Sequence, residues 1–229
     1  MAQIDKNTVS AKGQLGNDPF IRIHYPEHTG LRVMFIGNSI TLHGVLKSIG
    51  WENEWGMAAS SIDKDYVHLL EQKILKKHPD ASFCICQVAE WERNYFKGEQ
   101  ILENYAKARE FDADVLLFRM VENVPNGEDF NCQLFEEQCR KLIKYLGGDR
   151  AKLLLSTSFW HHKADEGLRT VANDDGYPLI ELGDLGENDE NKAIGKFWHD
   201  GVANHPGDLG MKRIADRIFD CADKNGFFD

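Results

Sequence analysis

From residue 31 onward, short apolar runs alternate with segments whose apolar residues recur every three or four positions. The runs that predict strands cover residues 31–36, 82–88, 115–118, 152–156 and 178–182. The central runs are apolar throughout, which is typical of strands buried on both faces. The periodic segments between them predict helices with one apolar stripe each. Strands separated by helices form right-handed crossovers and a parallel sheet. The sequence therefore predicts an α/β fold, a three-layer α/β/α sandwich of about five parallel strands.

The first 30 residues form a polar lead-in, and residues 31–229 are expected to form one domain. Within the lead-in, residues 20–25 alternate as a strand does, and Pro26 and Gly30 then mark a turn. Three roles stay open for this extension: an edge strand, a cap on the sheet, or a contact with a neighbouring subunit.

Charge and hydropathy exclude several classes of partner. The chain has 27 Lys and Arg against 37 Asp and Glu, a net charge of −10. That balance argues against a nucleic-acid surface and against an anionic membrane surface. The apolar runs are too short to span lipid, and the start lacks the apolar core of a signal peptide. We expect a cytoplasmic protein if Met1 is the natural start, and a secreted or periplasmic one if a leader was removed.

The residues that follow the strands matter most, because ligands of open parallel sheets bind beyond the carboxyl ends of the strands. Ser39 follows the first of these strands, where a helix is expected to begin, so its hydroxyl suits a nucleophile or a helix cap. His205 lies before the last helix, as a general base or a surface histidine. Asn123 suits an oxyanion donor or a turn, and Gly56 suits a close backbone approach or an ordinary loop.

In chain order these groups resemble the SGNH, or GDSL-like, hydrolases. The resemblance rests on the block GNSIT at residues 37–41 and on HPGDLGM at residues 205–211. It implies a flavodoxin-like fold and a serine esterase that needs no metal and no cofactor. By this resemblance Ser39 attacks the ester, His205 is the base, and the oxyanion hole consists of the N–H groups of Ser39 and Gly56 with the side chain of Asn123.

Three positions depart from the family pattern. Asn38 stands where the family usually has Asp, and Val121 stands where Gly is common. The acid expected three residues before His205 is replaced by Val202, and the nearest upstream acid is Asp200. Two arrangements stay open: Asp200 folds back to complete a loose triad, or a Ser–His dyad operates with a backbone carbonyl or water orienting the ring.

The leading hypothesis is an esterase for small acyl groups, most simply acetyl, because no large apolar lid is visible. Tryptophans near the loops extend this hypothesis to carbohydrate esters, since aromatic faces stack on sugars. The same tryptophans equally suit packing in the core. A second hypothesis is a catalytically impaired carbohydrate-binding module on the same fold. A third, a nucleotide or flavin binder, lacks the glycine patterns of phosphate loops.

Overall fold

The computed structural model describes residues 18–229, which form a six-stranded mixed sheet. The strands are β1 (Ile21–His24), β2 (Arg32–Gly37), β3 (Ser82–Gln87), β4 (Val115–Arg119), β5 (Lys152–Ser156) and β6 (Leu179–Ile180). Their order is β1-β3-β2-β4-β5-β6. Strands β2 to β6 are parallel, and only β1 runs antiparallel to its neighbour β3.

Eight α-helices surround the sheet in the described part of the chain. They are α1 (Tyr66–Lys77), α2 (Ala89–Asn94), α3 (Ala106–Phe111), α4 (Cys132–Gly147), α5 (Ala164–Asp175), α6 (Gly183–Glu187), α7 (Asp200–Ala203) and α8 (Asp208–Lys224). Short 3₁₀ turns cover Lys47–Ile49, Ile62–Lys64, Tyr95–Lys97, Glu99–Tyr105 and Asp189–Asn191. No helix among residues 18–229 is long and apolar enough to cross a membrane.

The sheet separates two apolar cores, which confirms the predicted three-layer sandwich. Alternate residues of β2 face opposite sides, with Met34 in one core and Phe35 in the other. Helices α2 to α5 contribute to the first core, and α1, α6 and α8 contribute to the second. The central strands β2, β3 and β4 are buried on both faces, as their continuous apolar sequence predicts.

The edge strand β1 is the main addition to the predicted architecture. Ile21 pairs with Cys86 and His24 with Phe83, so residues 21–24 belong to the sheet. Backbone hydrogen bonds thus join residues 21–24, which precede the expected boundary at residue 30, to the sheet. Of the three roles left open, the described part of the lead-in forms an edge strand. Residues 1–17 lie outside the described part.

The prediction of a helix directly after Ser39 was wrong. Residues 38–42 form a single tight turn, in which the N–H groups of Thr41 and Leu42 both donate to the Asn38 carbonyl. The backbone then leaves the helical path because His43 pairs with Trp55. The last strand is also shorter than predicted, since the Leu182 N–H donates to the Thr157 hydroxyl instead of continuing the sheet.

Candidate active site

Ser39 and His205 meet at the carboxyl edge of the sheet, as expected from the sequence. Ser39 lies in the turn after β2, and His205 follows α7. The Ser39 Oγ is 2.9 Å from the Nε2 of His205, although 166 positions separate the two residues. Both side chains are half-buried, so the pair is open to a small ligand.

The ring of His205 is oriented by a backbone carbonyl. Its Nδ1 lies 2.7 Å from the Gly201 oxygen, which can only accept, so Nδ1 carries the proton. Nε2 is then left with its lone pair facing the serine hydroxyl. The indole of Trp160 packs edge-on against the ring at a centroid distance of 5.2 Å.

Burial lowers the pKa of His205 to about 4, against an opposing contribution from the Gly201 carbonyl. The imidazole is therefore neutral at pH 7. A neutral imidazole with a free Nε2 lone pair is the form that accepts a proton from a hydroxyl.

The structure does not bring Asp200 to His205. Asp200 is exposed at the start of α7, where its carbonyl accepts the N–H of Asn204. Val202 occupies the position of the family acid and is fully buried in a small apolar cluster with Trp51 and Met57. Because the helical turn directs residue 202 inward, the Gly201 carbonyl is the group left at Nδ1. Of the two arrangements left open by the sequence, this geometry matches the dyad.

Gly56 is close to the nucleophile, but its N–H is engaged elsewhere. The N–H donates to the Asp65 carboxylate over 3.0 Å, whereas the next N–H, that of Met57, donates to the Ser39 carbonyl. A Cβ at Gly56 would lie 2.5 Å from the Ile40 carbonyl oxygen, so only glycine fits. In this conformation Gly56 permits close packing of the loop and does not offer the oxyanion donor expected from the sequence.

Asn123 has the fixed amide that an oxyanion donor requires. Its Nδ2 lies 2.5 Å from a Glu92 oxygen, and its Oδ1 accepts from Arg93 at 2.8 Å. These two contacts define which end of the amide is nitrogen. An amide nitrogen has two hydrogens, and the contact with Glu92 uses one of them.

Solved structures with the same fold include carbohydrate esterases. No family model matches the sequence, and no curated protein matches it significantly. The chain superposes with a TM-score of 0.58 on a family two carbohydrate esterase from Clostridium thermocellum, at 14% identity over 88% of this chain and 66% of that one. It also superposes at 0.53 on a two-domain esterase active on acetylated mannans, at 16% identity over 85% of this chain. It spans 48% of that esterase's length.

The chain has the same fold as these two esterases. At this level of identity the likeness shows the fold alone.

Beneath the Ser39–His205 site lies a buried polar network that the sequence did not reveal. Asn38 donates to Glu92 at 2.9 Å and to Glu122 at 2.5 Å, and its Oδ1 accepts from Arg119 at 2.5 Å. Arg119 also forms a bidentate pair with Glu122. Glu92 accepts the N–H of Val121 at 2.6 Å. An aspartate at position 38 would be a third carboxylate here, which explains why Asn suits this position.

The two glutamates of the network have different pKa values. Burial, followed by the negative charge of Glu122, raises the pKa of Glu92 to about 7. Burial acts the same way on Glu122, but the charge and hydrogen bonds of Arg119 outweigh it and lower the pKa of Glu122. Glu122 is thus the ionised partner of Arg119, and Glu92 is the carboxyl that titrates near neutral pH.

The residue that replaces the family glycine adopts a glycine-like conformation. Val121 has φ 99°, a region that β-branched residues rarely enter. Its N–H is held by Glu92, and its side chain is fully buried. The turn after β4 therefore keeps a glycine-type backbone despite the valine, at a cost of about 1–3 kcal/mol.

The tryptophans divide between the core and the site. Trp51 and Trp91 are fully buried, whereas Trp160 packs against His205. Trp198, at 73% exposure, is the most exposed large apolar side chain among the described residues.

Proposed function

We propose that this protein is a serine esterase for small acyl esters that uses Ser39 and His205 as a dyad. The observation that carries the proposal is the 2.9 Å contact between the Ser39 Oγ and the lone-pair nitrogen of an imidazole whose other nitrogen is anchored on Gly201. A hydroxyl on an oriented neutral imidazole is the minimal arrangement for nucleophilic acyl transfer.

In the proposed reaction the Oγ of Ser39 bonds to the ester carbonyl carbon while its proton passes to the Nε2 of His205. The negative charge that develops on the carbonyl oxygen is stabilised by the Ser39 N–H and by the second Nδ2 hydrogen of Asn123. His205 then returns the proton to the departing alcohol as the C–O bond breaks. Water, deprotonated by His205, hydrolyses the acyl-serine and regenerates the hydroxyl.

Electrostatics around the imidazole favour this proton cycle in one respect. The charge of Glu122 raises the pKa of His205, against the larger effect of burial. The carboxylate thereby favours the imidazolium that forms during attack. The site thus has a distant negative charge in place of the acid that contacts the base in a triad.

For the substrate we infer acetyl or similar esters on carbohydrate. The two-domain esterase with the same fold acts on acetylated mannans. Trp160 is half-buried and packs against His205, so it offers an aromatic ring beside the proposed base. Aromatic rings of this kind pack on the apolar faces of sugars.

The test is hydrolysis of p-nitrophenyl acetate by the wild type, Ser39→Ala and Ser60→Ala. Ser60 is an exposed serine bonded to Asp208, so its variant controls for the loss of a hydroxyl. We expect Ser39→Ala to fall to background and Ser60→Ala to retain activity. An organophosphonate should add to the wild type by mass spectrometry and not to Ser39→Ala.

A second candidate is a carbohydrate-binding module on the same fold. It is favoured by the engagement of the Gly56 N–H with Asp65 and by the backbone carbonyl of Gly201 at the Nδ1 of His205, where a triad has an acid. Equal background rates for the wild type and Ser39→Ala, with no phosphonate adduct on either, would replace the esterase proposal with this one.

A further inference from the structure

A second cluster of chemically active side chains lies on the α1 side of the sheet, apart from the Ser39–His205 pair. It contains His24 at the end of β1, and His68 and Glu71 on α1. One ligand atom from each residue lies within 4.8 Å of the other two. His68 and Glu71 are three positions apart and so share one face of the helix. The Nδ1 of His24 is already 2.7 Å from a Glu71 oxygen.

His68 is held in the orientation that a metal ligand requires. Its Nδ1 is 2.8 and 2.9 Å from the two oxygens of Asp65, a fully buried carboxylate. That contact places the proton on Nδ1 and leaves the Nε2 lone pair available. A carboxylate behind a histidine is the usual outer partner of a zinc-bound imidazole, because it fixes the ring and raises its basicity.

The burial of Glu71 also calls for a cation. Its side chain is 5% exposed, and within residues 18–229 its only ion-pair partner is His24. A buried carboxylate is stabilised when it is paired with a positive charge or coordinates a metal. Two imidazoles and one carboxylate supply such a site with lone pairs, and a bound cation would add positive charge beside the buried Glu71.

The cluster is accessible, and its ligands need only small movements. The side chains of His24 and His68 are 29% and 17% exposed and line a cavity of about 500 Å³. Zinc bonds of about 2.0–2.2 Å in a tetrahedron place ligand atoms about 3.3 Å apart. The ligand atoms, which lie within 4.8 Å of one another, therefore need to approach by at most about 1.5 Å, and solvent in the cavity would supply the fourth ligand.

We propose that His24, His68 and Glu71 form a binding site for a divalent transition-metal ion, with Zn²⁺ as the expected ion. Two imidazoles and a carboxylate are a ligand set that zinc accepts. The ion would join the edge strand β1 to helix α1. Through His68 and Asp65 the site also connects to the loop of Gly56, whose N–H is bound to the same carboxylate. The role is structural and does not depend on the proposed esterase activity.

The experiment uses untagged full-length protein stripped with EDTA and titrated with ZnCl₂ by calorimetry, with bound metal counted by mass spectrometry. We expect one Zn²⁺ per chain and a higher melting temperature on binding. His68→Ala and Glu71→Gln should each weaken binding at least about 100-fold, since losing even an outer partner costs about 10- to 100-fold.

His24→Gln provides a second test, because its half-exposed position on the edge strand makes it the variant least harmful to folding. The matched control is His161→Ala, which removes another histidine paired with a carboxylate, 2.9 Å from Glu187, but with no third ligand among residues 18–229. The control should bind Zn²⁺ like the wild type. Ser39→Ala should also bind normally, which separates this proposal from the esterase proposal. Absence of stoichiometric binding, or equal losses in His24→Gln and His161→Ala, would overturn the site.

Discussion

The Nδ1 of His205 is paired with the carbonyl of Gly201 at 2.7 Å, where a triad would place a carboxylate. A carbonyl can orient an imidazole and fix its tautomer, but it carries no full charge to stabilise the imidazolium. The dyad is therefore expected to be slower than a triad while following the same chemistry. This relationship decides what substitutions at Asp200 and His205 should do.

Asp200→Asn should reduce kcat/KM for p-nitrophenyl acetate by less than about threefold, because the side chain is exposed and does not contact the imidazole. His205→Ala should reduce it by about 10³-fold or more, since it removes the general base. Steady-state kinetics on the two variants checks the difference. Equal losses would show that Asp200 moves onto His205 when substrate binds and that a full triad operates.

The pH profile should report the low pKa of His205. The proposed base is active when neutral, so kcat/KM should be flat near neutral pH and fall tenfold per unit below about pH 4. Initial rates over a pH series check this, with circular dichroism to confirm that the protein remains folded. An acidic limb centred near 6.5, the usual imidazole value, would mean that the ring is hydrated in solution. The Glu92 carboxyl titrates near pH 7. Glu92→Gln removes that titration and should leave the acidic limb due to His205 in place.

Asn38→Asp should restore the usual family residue and yet destabilise the protein. It removes the amide hydrogens that bind Glu92 and Glu122 and puts a third carboxylate between them. Breaking a buried charged network costs about 3–5 kcal/mol. At least one of the clustered carboxyls will then have a raised pKa, so the folded state binds more protons than the unfolded state. Stability should therefore fall as pH rises from 5 to 8, more steeply than in the wild type.

Urea unfolding of Asn38→Asp at pH 5 and pH 8 measures that slope. The double variant Asn38→Asp with Glu92→Gln is the matched control, because it moves the amide to the other side of the same contact and returns the network to the two carboxylates of the wild type. It should recover part of the stability lost at pH 8. If Asn38→Asp is as stable as the wild type at pH 8, the network does not hold the charges inferred for it.

The parallel strands and the residues at their carboxyl ends were predictable because they depend on local patterns. Continuous apolar runs such as residues 115–118 mark strands buried on both faces, and the carboxyl ends of parallel strands necessarily meet. That reasoning brought Ser39 and His205 together across 166 positions. It placed Asn123 at the same edge for the same reason.

What the sequence did not reveal depends on pairing across the fold. Glu92, Arg119 and Glu122 read as ordinary polar residues after strands, and only their burial together makes them a network. The one sequence signal for this network was that its residues stand at or after the carboxyl ends of β3 and β4. The prediction of a helix at Ser39 was wrong for a similar reason, because the backbone of His43 pairs with that of Trp55, twelve positions away. The Gly56 N–H likewise pairs with Asp65, which the motif does not include.

Val121 gives a test of backbone strain beside the site. At an ordinary position, Gly is less stable than Ala because it loses more conformational freedom on folding. At φ 99° the order should reverse, since Gly adopts this region freely and Ala does not. Both substitutions lose the buried isopropyl group, so the comparison between them cancels that loss. We expect Val121→Gly to be more stable than Val121→Ala by about 1 kcal/mol.

Val67 provides the control for this comparison, because it is equally buried but lies in helix α1. There Val67→Ala should be more stable than Val67→Gly by about 1 kcal/mol, the ordinary helical preference. Thermal and urea unfolding of the four variants give both differences. The same order at both positions would show that Val121 relaxes to negative φ in solution. A reversed order at Val121 alone would show that residue 121 keeps positive φ in solution, in the turn where Glu92 accepts its N–H.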